Sequence, residues 1–220
     1  MTDTLVSLIH TERAALADDL AGLTDAQWAA PSLCDGWCVE EVVAHLTSAA
    51  TMTPARWIRS MLLAGFRPAV HNRRRTAEHR GATPAATLAR FREVSASTTA
   101  PSGHTAAWLG EVVVHGQDAR RALGLASGPS VGSATEVARF FVSRNFAVPS
   151  ARNAAGLRLE ATDGPFTAGA GPIVRGSTEA LVLAMAGRPA VLPDLTGDGV
   201  AVLRARIGGP GPGPAQSSAG

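Results

Sequence analysis

Two hydrophobic periods divide this chain, and a single kind of secondary structure cannot satisfy both. Up to about residue 150, apolar side chains return every three or four positions, as in Leu5, Leu8, Ile9, Leu16 and Leu20. That is the spacing of one face of an α-helix. From about Gly156 the segments GLRLEA, PIVRG and VAVLRARI alternate or run short and β-like, which is the signature of half-buried strands. The expectation is a helix bundle over 1–150, a small α+β domain over 151–207 joined by PSARNAAG, and a disordered glycine-proline tail over 208–220.

Within the first part, Thr24 and Gln27 form a capping-box pattern, and Thr83-Pro84 opens a helix that runs to about Ser95. Further helices are expected over about Val39 to Ala50, Pro54 to Phe66 and Thr105 to Leu123. Gly124 stops the last of these, and Ser133 with Glu136 caps another that reaches Phe146. The polar run HNRRRTAEHRGA reads as a connector. In the second part, Ser177 caps a short helix, STEALVLAMAG, closed by Gly187.

Composition narrows the function. Every basic residue is Arg, Tyr is absent, and Ala and Gly are abundant, which looks like GC-rich coding of the actinobacterial kind. The net charge is only +2, with acids interspersed among the arginines, so a general nucleic-acid surface is not expected. No apolar run is long enough for a bilayer span, and the acidic N-terminus is unlike a secretory leader, so a cytoplasmic protein is expected. Two cysteines, Cys34 and Cys38, are too few for a disulfide framework.

The segment GEVVVHGQDARRALG carries the chemistry. Trp108, Glu111, His115, Asp118 and Ala122 share one helical face, a stripe that normally faces the core. Ionisable groups there are costly unless paired or bound to a cation. In EEVVAHLTSAA, His45 shares a face with Val42, Leu46 and Ala49 and offers a third donor. Two His and one Glu with an open position make the donor set of a catalytic zinc. Asp118 is placed to accept the outer N–H of a ligating His or to hold Arg121. A lone inward His is more often a hydrogen-bonded core residue, and a Glu/His pair at this spacing more often a solvated pair. Spacing alone leaves the two readings balanced.

PSLCDGWCVEEVVAHL followed by GEVVVHGQDARRALG resembles the mycothiol-dependent maleylpyruvate isomerase family, through Gly36-Trp37, Ala44-His45-Leu46, Glu111, His115, Asp118 and Arg120 to Gly124. MAGRP and LTGDG look like that family's later elements. The resemblance implies a mainly α chain: a DinB-like four-helix bundle followed by a small α+β domain resembling a sterol-carrier-like fold. It also implies that His45, Glu111 and His115 ligate a divalent metal, zinc, with mycothiol as co-substrate. Cys38 stands where such sequences commonly have Thr or Ser, and the interval from His45 to Glu111 is short for the family.

The expected enzyme is then an isomerase or a thiol S-transferase. A metal-activated thiolate adds to a small unsaturated, carboxylated electrophile; rotation and elimination give isomerisation, and retention of the adduct gives S-transfer. The alternative is a non-catalytic DinB-like metal- or small-molecule-binding protein. Expected partners are the electrophile and the thiol, with no nucleic acid and no membrane, in a monomer or homodimer.

Other residues carry weaker readings. Cys34 and Cys38 are taken as ordinary small residues at a helix entry rather than as ligands shared with His45, and Arg73, Arg74 and Arg75 as a solvated run. His10, His71, His79 and His104 read as surface residues. Arg204 and Arg206 fall on one face of a final strand by alternation, where they can hold an anionic substrate.

Overall fold

The computed structural model describes residues 2–208, so the tail read as disordered lies, beyond Gly208, outside the described residues. The first compact unit ends at Ser133. It contains α1 (Thr2–Asp19), the single turn α2 (Asp25–Trp28), α3 (Val39–Thr51), α4 (Pro54–Leu63), α5 (Pro68–His79), α6 (Pro84–Glu93) and α7 (Thr105–Ala122). Helices α1, α7, α3 and α6 close a ring, each packing against the next, which is the four-helix bundle expected from the periodicity. Its core is built from Leu16, Leu20, Val42, Val43, Leu46, Phe91, Leu109 and Val113, all essentially inaccessible.

Helix α7 is enclosed on nearly every side. Gly116 lets it approach α1 closely: a Cβ there would meet Leu16 at 3.5 Å and the Arg120 guanidinium at 3.3 Å. Arg120, 2 % exposed, donates through Nε to Asp19 Oδ2 at 2.7 Å and ties α7 to the end of α1. On the other side of the bundle, buried Glu40 of α3 accepts from Thr87 Oγ1 at 2.8 Å and from Arg80 Nε at 2.7 Å, linking α3 to α6 and to the end of α5.

Several local expectations are overturned. The polar run from His71 is not a connector but most of α5, which packs on α3. His71 is buried and its Nδ1 lies 2.8 Å from Ser60 Oγ, while half-buried His79 reaches Thr51 Oγ1 and half-buried His10 reaches the Ser97 carbonyl. Only His104 is a surface histidine. Arg73 and Arg74 are exposed as expected, and Arg75 pairs with Glu78.

Helix α8 (Val131–Ser143) begins before Ser133, and the hydroxyl that receives the Ser133 N–H is that of Ser130, so Ser130 rather than Ser133 caps it. The second compact unit starts at Ala134, inside α8, whereas the sequence reading put the boundary at 150/151. The segment read as a linker contains α9 (Ser150–Ala154), whose buried Asn153 donates to the Met185 carbonyl at 2.9 Å.

The second unit holds a three-stranded sheet of β1 (Arg158–Ala161), β2 (Thr167–Ala168) and β3 (Ile173–Gly176) in the order β2-β1-β3. β1 pairs antiparallel with β2 and parallel with β3, with Leu159 opposite Val174. Both side chains are buried, and both strands pack on α10 (Thr178–Met185). On the opposite, exposed face Glu160 accepts from Arg158 and Arg175, which hold its pKa below the ordinary glutamate value. Ser177 caps α10, and Asp163 Oδ1 accepts from both the backbone N–H and the hydroxyl of Thr178.

VAVLRARI is not a strand. It lies in α11 (Gly199–Ile207), which buries Leu203 and Ile207 one turn apart. Arg204 and Arg206 are therefore about 200° apart around a helix and do not share a face. Arg204 is exposed, and Arg206 donates to the Asn153 carbonyl at 2.6 Å. The strand alternation that grouped them as a substrate clamp does not exist. Among the described residues no helix is long and apolar enough to cross a membrane.

Two outcomes follow from this packing. Asp19→Ala leaves a buried guanidinium without its carboxylate and should cost about 3 kcal/mol, the low end of the usual range because Asp19 retains some solvent; urea denaturation of the two proteins measures it. Gly197 has φ +103°, and a Cβ there would sit 2.3 Å from the Ile173 carbonyl oxygen. Gly197→Ala should cost about 2 kcal/mol or more, read as a lower thermal midpoint.

Candidate metal centre

The site begins with the turn that precedes α3. Ser32 receives and donates bonds that close the loop: its N–H reaches the Trp37 carbonyl at 2.9 Å and its hydroxyl reaches the same oxygen at 2.8 Å. Gly36 takes φ +77°, a conformation that side chains disfavour, and lets the chain reverse before Trp37. The Leu33 N–H donates to the Asp118 carbonyl at 3.0 Å, fastening this loop to α7. At the start of α3 the Glu41 carboxylate accepts from the Cys38 N–H at 2.9 Å, so the helix is capped from within its first turn although Cys38 replaces a hydroxyl residue.

From these elements the three predicted donors converge. His45 Nε2 lies 3.3 Å from Glu111 Oε2, His115 Nε2 lies 3.5 Å from the same oxygen, and one donor atom from each of the three residues falls within 4.8 Å of the others. The His45 and His115 rings meet edge to face with centroids 4.9 Å apart. The Trp37 ring stands 4.8 Å from His45 and 6.2 Å from His115, walling the pair on one side. Asp118, whose side chain is fully buried, accepts from His115 Nδ1 at 3.0 Å. That bond fixes the ring and leaves Nε2 directed toward Glu111.

These distances fit a shared cation. Two ligands at about 2.0–2.2 Å from a tetrahedral ion stand about 3.3–3.5 Å apart, which is the separation of each imidazole nitrogen from the carboxylate oxygen. The local field fits as well. Burial alone disfavours a protonated His115, yet its bonds to Asp118 and Cys34 and the nearby charge of Glu111 hold its pKa up at about 10. The negative charges of Asp118 and Glu111 that favour a proton on this ring also favour a cation beside it, in competition with that proton.

The stripe on α7 is less deeply inward than the spacing suggests. Side chains of His45, Glu111 and His115 are 14, 22 and 15 % exposed, whereas Leu109, Val113 and Ala119 are at most 1 % exposed. The donors line an opening at the bundle surface, which a site that admits a substrate requires.

Two residues gain roles that spacing did not reveal. Cys34, set aside above as an ordinary small residue, touches the His115 ring and forms with His115 and Asp118 a second group able to hold a cation. It does not join Cys38 and His45. Trp37, noted only as half of a Gly-Trp pair, supplies the aromatic wall; only the reversal at Gly36 brings it back over α3 and α7.

The comparisons bear on the fold around this site. Residues 9–105 match the family model described as the mycothiol maleylpyruvate isomerase N-terminal domain; the match includes His45 and stops short of Glu111 and His115. No curated protein matches the chain. A crystal structure of the mycothiol-dependent maleylpyruvate isomerase superposes with a TM-score of 0.53 at 14% identity, covering 90% of this chain and 93% of that one. A point mutant of that enzyme gives 0.55 at 16% identity with the same coverage. The chain thus carries a segment that matches the mycothiol maleylpyruvate isomerase N-terminal domain, and it is similar in fold to the crystallised enzyme over most of its length.

Proposed function

We propose that this protein is a metal-dependent enzyme in which His45, Glu111 and His115 ligate one divalent ion, zinc, and in which a low-molecular-weight thiol, mycothiol, attacks a small unsaturated, carboxylated electrophile. The observation that carries the reading is the meeting of those three donor atoms at ligand spacing, with Asp118 locked behind His115. The family match of the N-terminal domain supports the choice of thiol.

Bound there, a divalent ion supplies a Lewis acid that lowers the pKa of a thiol to near neutrality. The chain's own residues do the rest. Asp118 holds His115 as a neutral ligand with its proton on Nδ1, so that Nε2 presents a lone pair. Glu111, between the two imidazoles, contributes the one anionic ligand, and a set of two neutral nitrogens and one carboxylate leaves a net positive centre for a thiolate. Trp37 covers one side of the imidazole pair and limits water there. Isomerisation and S-transfer share this machinery and differ in whether the sulfur leaves again.

A second placement of the ion, on Cys34, His115 and Asp118, is geometrically open. It requires His115 to give up its 3.0 Å bond to Asp118, which favours the first placement.

His45→Ala should lose stoichiometric zinc and all thiol-dependent turnover of a maleate-type substrate, while Cys34→Ala retains both. Elemental analysis of the two purified variants decides between the placements, and zinc retained at one equivalent in His45→Ala refutes the assignment. Asp118→Asn keeps the shape but weakens the grip on His115; zinc affinity should fall about 10–100-fold in competition with a chromophoric chelator.

A further inference from the structure

The large apolar side chains that this chain leaves in water are concentrated on one short stretch. Among the described residues, five of the eight that are exposed, Trp57, Ile58, Leu62, Leu63 and Phe66, fall in α4 and the turn that ends it. Single exposed apolar residues are ordinary, whereas a cluster of them marks a surface that meets something. Helix α4 rests on α5 and buries only Met61 of its ten residues, so most of it stands away from the core.

The turn after α4 holds its aromatic ring outward. The Phe66 N–H donates to the Met61 carbonyl at 2.9 Å and the Gly65 N–H to the Leu62 carbonyl at 3.0 Å. That pair of bonds commonly closes a helix, and the apolar residue in the place of Phe66 then packs back on the last helical turn. Here Phe66 does not: it is 69 % exposed, and its φ of +56° is costly for an aromatic side chain.

The charge around this face has one sign. No acidic residue occurs between Glu41 and Glu78, an interval that contains Arg56, Arg59, Arg67, Arg73, Arg74 and Arg75. Arg75 pairs with Glu78; the others are exposed and make no ion pair among the described residues. Arg74 Nη1 donates to the Leu63 carbonyl at 2.9 Å and Arg56 Nη1 to the Thr51 carbonyl at 3.2 Å, which holds a guanidinium at either end of α4.

We propose that α4, the turn at Phe66 and the adjoining arginines dock on the surface of an anionic lipid bilayer. The apolar side chains enter the boundary between headgroups and acyl chains, and the guanidiniums take lipid phosphates. Charge selects this occupant over a second copy of the chain: a two-fold pairing through the face would set its arginines against the partner's, with no acid between them. Ten residues are too few to cross a bilayer, so the helix lies on it. This departs from the expectation of no membrane partner, and it does not rest on the metal or thiol chemistry.

Flotation of the purified protein with lipid vesicles tests it. The protein should float with vesicles of equal parts phosphatidylcholine and phosphatidylglycerol, stay behind with phosphatidylcholine alone, and be released by concentrated salt. Arg59→Gln combined with Arg73→Gln should weaken binding about tenfold or more. Leu62→Gln combined with Phe66→Gly should weaken it about as much, and glycine suits the positive φ, so the fold is kept. Bromine-labelled lipid should quench tryptophan emission in the wild type and much less in Trp57→Phe. Absence of flotation, equal flotation with both vesicles, or flotation unchanged by both double variants overturns the proposal. So does a dimer in sedimentation that Leu62→Gln with Phe66→Gly dissociates, which assigns the face to a second copy.

Discussion

Because α7 is held between α1 and α3, with α1 drawn close at Gly116 and clamped by the Arg120–Asp19 ion pair, its side chains have little freedom of direction. The helix can carry Glu111, His115 and Asp118 on one line only because that line opens toward the surface while Leu109, Val113 and Ala119 fill the interior. Buried Asp118 is admitted because its oxygen receives the His115 Nδ1 proton. The same bond decides which nitrogen of His115 faces the opening. Rigid backbone, an oriented imidazole and a carboxylate one turn away are what a bound cation would need, and the packing of the bundle supplies them.

The loop before α3 completes the arrangement from the other side. Its hydrogen bond to the Asp118 carbonyl, its positive-φ glycine and the return of Trp37 over both imidazoles couple the entry of α3 to the middle of α7. His45 and His115 are 70 positions apart in the chain, yet their relative position depends on this short segment as much as on the helices that bear them.

The misreadings have physical causes. VAVLRARI is eight residues long, and over so short a run an alternating pattern and an i, i+4 pattern share most of their apolar positions. Packing decided between them, because Leu203 and Ile207 meet the interior on one helical face. The run from His71 looked like a connector because it is polar almost throughout. It is helical because α3 offers it a surface, on which His71 and Thr76 are the buried contacts. Cys34 gave no signal in one dimension, since it has no partner at helical spacing; it matters through His115 and Asp118 of a distant helix.

What the sequence by itself determined is the set of elements with strong local periodicity or caps: the bundle helices, strands β1 and β3, helix α10, and the alignment of Glu111, His115 and Asp118, since positions three and four apart on a helix share a face whatever surrounds them. It also carried the family resemblance through motifs around His45 and His115. Tertiary structure alone decided that His45 reaches Glu111 at 3.3 Å, that Asp118 rather than water holds His115 and that Arg204 and Arg206 part company. Those are distances between helices, and they are set by how side chains from separate segments fill a common core, which no local spacing encodes.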